Sequence, residues 1–325
     1  MAGAGGGELV GAVAGAGALG FIGAGYYSDA DLAQQLALAS AKAAPVDGRL
    51  PFGVGLLVWR LGMPGGPHTA FVDAVIEARP CAIWLSYGEQ AATAAWIGYI
   101  RTRDSAIRIV STANTLEEAR VAVTAWRTDL LCVQGIEAGG HGLGSAPPRD
   151  ALLSAVLAES ANWDVKVPVI AAGGIATGAN VAAVLVQGAA GAAVGTRFLV
   201  SDESLYSAAQ KDLLVAAREN DTVRSLAFDD ARNTVGWPTG IDGRGLKSDT
   251  VADYDAAAAR GALETEAEAR RARYAAAAAS GETERLITWS GTGIGSITSV
   301  LPAAEIVARL TADAASALAD AAQLL

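Results

Sequence analysis

Seven short apolar runs recur along the first two-thirds of the chain, each followed by an amphipathic or Ala-rich stretch. The runs are Leu19–Ala24, Phe52–Trp59, Ala82–Tyr87, Arg108–Thr112, Leu130–Gln134, Val167–Ala172 and Ala192–Leu199. They lack the alternation of a half-solvated strand, as expected of parallel strands covered on both faces. Between them the spacing predicts helices near Asp29–Ala43, Thr69–Ala78, Gln90–Ile100, Leu116–Trp126, Arg149–Ala158 and Gly178–Gln187. Ser28 and Asp29 mark the start of the first. Thr115 with Glu118 three residues later reads as a capping box.

Strict β-α alternation requires a parallel sheet, either doubly wound or rolled into a (β/α)8 barrel. Glycine-rich and polar signals follow strands across the whole series, whereas a doubly wound sheet would concentrate them at one switch point. An α/β fold of the TIM-barrel type is therefore predicted. Only seven strands are legible, and the helix Glu8–Ala14 is preceded by Met1-Ala2-Gly3, which reads as the loop after a strand. The barrel thus reads as lacking its first strand: either that strand was lost to a late start codon, or the barrel is open at that edge.

From Ser201 to about Glu284 the strand signals vanish and charge rises. A helix near Glu203–Glu219, a loop at Asn233–Asp249 and a long Ala-rich helix near Val251–Ala279 suggest a helical insertion. The expected organisation is a barrel formed by 1–200 and 285–325, with 201–284 packed over its mouth. The last segment, Pro302–Ala322, reads as a helix with proline near its first turn.

Composition changes this picture only by exclusion. With 52% hydrophobic and 18% charged residues, the chain is far from a disordered composition. A net charge of −10 argues against nucleic acid or an anionic membrane as partner, since both need clustered Lys and Arg. Any anionic ligand must be held by backbone amides and a few placed cations. Cys81 and Cys132 form no CxxC, so buried thiols and a cytoplasmic location are expected. No signal peptide or membrane span is expected, because the Gly/Ala-rich start has no basic region and Glu8 interrupts it.

The chemistry concentrates in two segments. In LLCVQGIEAGGHGLG, Leu130 to Gly144, one of the chain's two histidines follows an apolar strand on a turn of glycines. A strand end in a barrel is where active sites gather, and glycines let a ligand approach the backbone. A neutral imidazole there can act as a general base, and no acidic cluster or neighbouring histidine suggests a metal. His68, just before a predicted helix, reads as a cap or loop residue.

The second segment, Pro168 to Leu199, reads as strand, Gly173-Gly174 turn, helix, strand and Gly195-Thr196 turn. Two such turns in consecutive barrel units suit a phosphate group. No Walker lysine is present, and the GxGxxG at Gly15 to Gly20 follows a helix and precedes a strand, the reverse of a dinucleotide fingerprint. There is no GxSxG, and Ser290 lacks the elbow setting.

VQGIEAGGHG, AAGGIATG and AVGTRF, together with Met1-Ala2-Gly3, LGFIGAGY at 19–26 and LPAAEIV at 301–307, resemble the nitronate monooxygenase (formerly 2-nitropropane dioxygenase) family of FMN-dependent barrels. The resemblance spans nearly the whole chain. It implies oxidation of an alkyl nitronate by flavin and O2, with His141 as the base that removes the proton α to the nitro group. It places Met1, Gly55, Gln134 and Gly139 against FMN, with Gly174, Ala193, Val194, Gly195 and Thr196 around its phosphate. Gly55 stands where the family often carries Asn, and Gly291-Thr292 where it often carries Gly-Gln. The implied partners are a small nitronate or nitroalkane and O2, and a homodimer is compatible with them. Enoyl-carrier-protein reductases share the Gly-Gly-His turn, so an NAD(P)H-dependent flavin reductase is the alternative function. A truncated, non-catalytic barrel is the third.

Overall fold

The computed structural model describes residues 3–63, 66 and 68–323. Met1, expected at the cofactor site, lies outside the described residues.

In chain order, α1 (Gly7–Gly15), β1 (Phe21–Gly23) and α2 (Asp29–Ser40) precede β2 (Leu50–Leu57) and α3 (Thr69–Glu77). Then come β3 (Pro80–Ser86), α4 (Gln90–Arg103), β4 (Arg108–Ala113), α5 (Leu116–Thr124) and β5 (Leu130–Gln134). A short strand β6 (Gly140–Leu143) follows, before α6 (Arg149–Ser160), β7 (Val169–Ala172), α7 (Gly178–Gln187) and β8 (Gly191–Ala193). Beyond it lie α8 (Thr196–Leu199), α9 (Ala208–Ala216), β9 (Thr222–Ser225) and α10 (Ala227–Arg232). The chain finishes with β10 (Ile241–Leu246), α11 (Asp249–Ala259), α12 (Ala267–Ser280) and α13 (Ala303–Ala322).

Seven strands form one parallel sheet in the order β1-β2-β3-β4-β5-β7-β8, with helices between them. This is the TIM-type barrel architecture, and no pairing joins β1 to β8 among the described residues. That seam is covered by helices instead. Leu9 and Val13 of α1 pack with Ala303 and Val307 of α13 and Phe198 of α8.

Local chemistry sets the element starts. Ser28 and Asp31 form a reciprocal capping box at α2. Thr115 caps α5 through Glu118 N, but the Glu118 carboxylate turns to Asn114 N rather than closing the box. His68 is the N-cap of α3, its Nδ1 accepting from Phe71 N. The apolar strands bury Ile22, Phe52, Val54, Ile83, Ile109 and Leu131 almost completely. Each such side chain contributes roughly 1.5–3 kcal/mol through burial.

Four local expectations are corrected. The run expected as a strand over Ala192–Leu199 is a strand only to Ala193, and Thr196–Leu199 is helical. The chain turns at Gly195, and Arg197 reaches across to the carbonyl of Ser299, a contact no local pattern announces. His141 lies on a strand rather than a glycine turn, because β6 pairs antiparallel with β10, a hundred residues later. The region 201–284, expected to be helical, also contains β9 and β10, which complete a three-stranded sheet with β6. The expected long helix over Val251–Ala279 is two, broken near Gly261 in the left-handed conformation (φ +69°).

Candidate active site

β5 ends at Gln134, and the chain re-forms as β6 carrying His141. Gly139 makes that crossing possible. A Cβ there would sit 2.5 Å from Gly291 N, so only glycine allows the loop after Trp289 to come so close. Gln134 then locks the strand. Its Nε2 donates to the His141 carbonyl at 2.9 Å and to Tyr87 Oη at 3.1 Å, and Tyr87 donates to the same carbonyl at 2.6 Å. Burial pushes the Tyr87 phenol above its ordinary value, so it stays a donor at neutral pH. Both amide hydrogens of Gln134 are engaged, which leaves its Oε1 to address a ligand.

The imidazole is held just as firmly. His141 Nε2 lies 3.0 Å from each carboxylate oxygen of Asp229, and the two side chains are only 11% and 8% exposed. Asp229 is fixed in turn by Thr234, whose hydroxyl donates to Oδ1 at 2.7 Å. An ionised carboxylate can only accept, so Nε2 is the nitrogen that donates to it, and in the neutral ring the lone pair falls on Nδ1. Trp237 stacks on the ring at 3.7 Å between centroids and 11° between planes. Trp289 stands tilted at 5.0 Å.

These groups open on a cavity of about 660 Å³, within the range of small-molecule sites. The structure brings His141, Gly55, Gln134, Gly139, Gly174, Ala193, Val194, Gly195 and Thr196 to its wall. The sites expected from the sequence therefore converge on one space, Met1 excepted.

The end of the cavity opposite in sequence, after β7 and β8, has the donor set of an anion cradle. Gly174 lines the cavity at φ +66°, a conformation that favours glycine. A Cβ at Gly195 would meet open space, so the chain there is accessible to a ligand. The start of α7 is not free. Thr177 Oγ1 accepts from Asn180 N, and Asn180 Oδ1 accepts from Ala176 N and Thr177 N. The cradle is thus reduced to the glycine turns and Thr196, whose hydroxyl also accepts from Gly291 N at 2.9 Å. Arg149 lies beside it, donating to Gly173 O at 2.8 Å. An FMN phosphate fits this set of backbone donors, a hydroxyl and a neighbouring cation. No group of three or more His, Cys, Asp or Glu among the described residues could hold a metal.

Sequence reasoning did not find Asp229, Arg232 or Trp237. Phe228-Asp229-Asp230-Ala231-Arg232 gives no sign of which acid faces the histidine: Asp229 does, while Asp230 pairs with Arg270 at 2.8 Å. Trp237 lies in the segment expected only as a loop, Asn233–Asp249, where no spacing ties it to the histidine.

A family model described as nitronate monooxygenase matches residues 69–313. Nitronate monooxygenase npaC of Metarhizium robertsii is 35% identical over 326 residues, covering 94% of this chain and 87% of the relative. The nitroalkane oxidase of Streptomyces ansochromogenes is similar in structure, with a TM-score of 0.77 and 27% identity over 98% of this chain and 94% of its own. FabK of Thermotoga maritima superposes with a TM-score of 0.79 at 24% identity, covering 100% of this chain and 94% of that one. At that identity the likeness to FabK is one of fold.

Proposed function

The chain belongs to the nitronate monooxygenase family of oxidoreductases, and on that premise we propose that it oxidises alkyl nitronates such as propionate 3-nitronate, using FMN and O2, with His141 as the proton acceptor. One observation carries this reading: a histidine whose Nε2 is held by a buried carboxylate lines the same cavity as a glycine-built anion cradle.

FMN, when bound, would supply the redox chemistry. The residues of the chain supply position and proton control. Gly174, Gly195 and Thr196 would hold its phosphate, and Gln134 Oε1 and the Gly139 backbone would address its ring. When the substrate arrives as the neutral nitroalkane, His141 Nδ1 takes the proton α to its nitro group and leaves the nitronate to be oxidised. The positive charge that forms on the ring is then shared with Asp229 through Nε2. Trp237 and Trp289 shield the ring from water, which strengthens that ion pair.

No helix among the described residues is long and apolar enough to cross a membrane. Both cysteines are free, and burial pushes the Cys132 thiol up to about 12. These features support a cytoplasmic setting.

Mixing the purified yellow protein anaerobically with propionate 3-nitronate should bleach its flavin or shift its visible bands by partial reduction, and mass spectrometry of the released cofactor should give FMN. A visible spectrum that neither bleaches nor shifts would overturn the reading. Rapid reduction by NADPH with no response to nitronate would assign the flavin reductase instead. His141→Asn should slow proton removal from nitroethane by about 10²–10⁴-fold with flavin content unchanged.

A further inference from the structure

Among the described residues lining the cavity, Arg232 is the one side chain of Lys, Arg, Asp or Glu. Its guanidinium lies 5.2 Å from the Tyr26 ring and 6.0 Å from the Trp289 ring, and among the described residues it forms no ion pair. Nearby arginines are committed. Arg224 pairs with Asp242, Arg244 donates to Ile136 O, and Arg270 and Arg271 share Asp230. An arginine left without an acid on the wall of a mostly apolar cavity is suited to a ligand anion.

Its position relates it to the base. Asp229 and Arg232 are three residues apart on α10, hence on one face. That face sends the carboxylate to Nε2 of His141 and the guanidinium into the cavity. Both His141 and Arg232 flank the Trp289 ring, at 5.0 and 6.0 Å. A ligand lying along that ring would therefore meet a proton acceptor at one end and a cation at the other.

A nitronate is a planar anion whose charge is spread over two oxygens of one nitrogen, the same outline as a carboxylate. A guanidinium fork can donate to both oxygens at once. We propose that Arg232 binds the two oxygens of the nitronate group and selects anionic nitronates over neutral nitroalkanes. This inference rests on the nitronate-oxidising reading above. It also makes small planar oxyanions without the reactive carbon, such as nitrate or propionate, competitive ligands of the same site.

The test uses the flavin-loaded enzyme and the variants Arg232→Met and Arg232→Lys. For Met, KM for ethyl nitronate should rise about 10- to 100-fold, the range of a lost charge-assisted contact, with partial recovery in Lys. KM for neutral nitroethane should change little. Nitrate affinity, read from the perturbation of the flavin spectrum, should fall by a similar factor. Nitrate binding needs no turnover. If the wild-type enzyme binds nitrate through Arg232 yet leaves nitronate untouched, the functional reading fails while the anion site stands. Unchanged nitronate KM and nitrate affinity in Arg232→Met would overturn the proposal. So would loss of flavin from both variants with normal KM after reconstitution, which would assign Arg232 to the cofactor.

Discussion

Replacing Asp229 by Asn tests the base assignment with almost no change of shape. In the native site Thr234 donates to Asp229 Oδ1 at 2.7 Å, while Nε2 of His141 sits 3.0 Å from both oxygens. In the variant the same threonine hydroxyl holds the amide oxygen at the Oδ1 position and turns the NH2 toward the imidazole. Two donors cannot face each other, so the ring hydrogen moves to Nδ1 and the lone pair meant for substrate is lost. The variant also loses the attraction between the carboxylate and the imidazolium formed on proton transfer. For unit charges about 4 Å apart this is worth roughly 4 kcal/mol at an effective dielectric constant of about 20. Allowing for the amide dipole that remains, about 3–4 kcal/mol is lost, which is roughly 10²–10³-fold in rate. The assay is anaerobic stopped-flow bleaching of the bound flavin by nitroethane and, separately, by ethyl nitronate. Nitroethane must surrender a proton, whereas the nitronate already has. The nitroethane rate should fall by the full factor and the nitronate rate by less than about tenfold. Equal losses with the two substrates, or an unaltered nitroethane rate, would refute the role given to the His141–Asp229 pair.

Two further outcomes follow from packing and charge. Gly139→Ala would press a Cβ against the backbone of Ser290 and Gly291 at 2.5 Å. It should cost about 1–3 kcal/mol and loosen flavin binding, read by thermal melting and by the flavin dissociation constant; a normal melting point with tight flavin would count against the close approach of the two loops. Arg49 binds Asp104 through Nη2 at 2.6 and 2.8 Å, and this guanidinium, more than the opposing desolvation, holds the Asp104 carboxyl below the usual carboxylate range. Because the folded state favours the charged form, the pair stabilises fully above the unfolded value near pH 4 and loses its effect as pH falls through the lower folded value. Asp104→Asn should therefore lower stability at pH 7 by about 1–2 kcal/mol, and the difference should shrink below about pH 4; a gap that does not change with pH would contradict this.

The apolar runs, their order and the alternation with helices were determined by the sequence, because a parallel strand buried on both faces must be a short continuous hydrophobic segment. β5 follows its predicted bounds at Leu130–Gln134, and α7 its bounds at Gly178–Gln187. The glycine turns after β7 and β8 and the histidine after β5 were legible for the same reason, as each depends on residue type and on a strand end close by in the chain. What carries the chemistry of His141 was not. The strand that bears it exists only by pairing with Ile241–Leu246, and its carboxylate partner is 88 residues away on a helix with an equally acidic neighbour. Short strands rich in glycine have little local propensity, so their pairing is decided by partners distant in sequence. Which of Asp229 and Asp230 meets the imidazole, which ring nitrogen is left unpaired, and which arginine reaches the cavity without an acid are properties of how α10 is seated, and only the tertiary structure decided them.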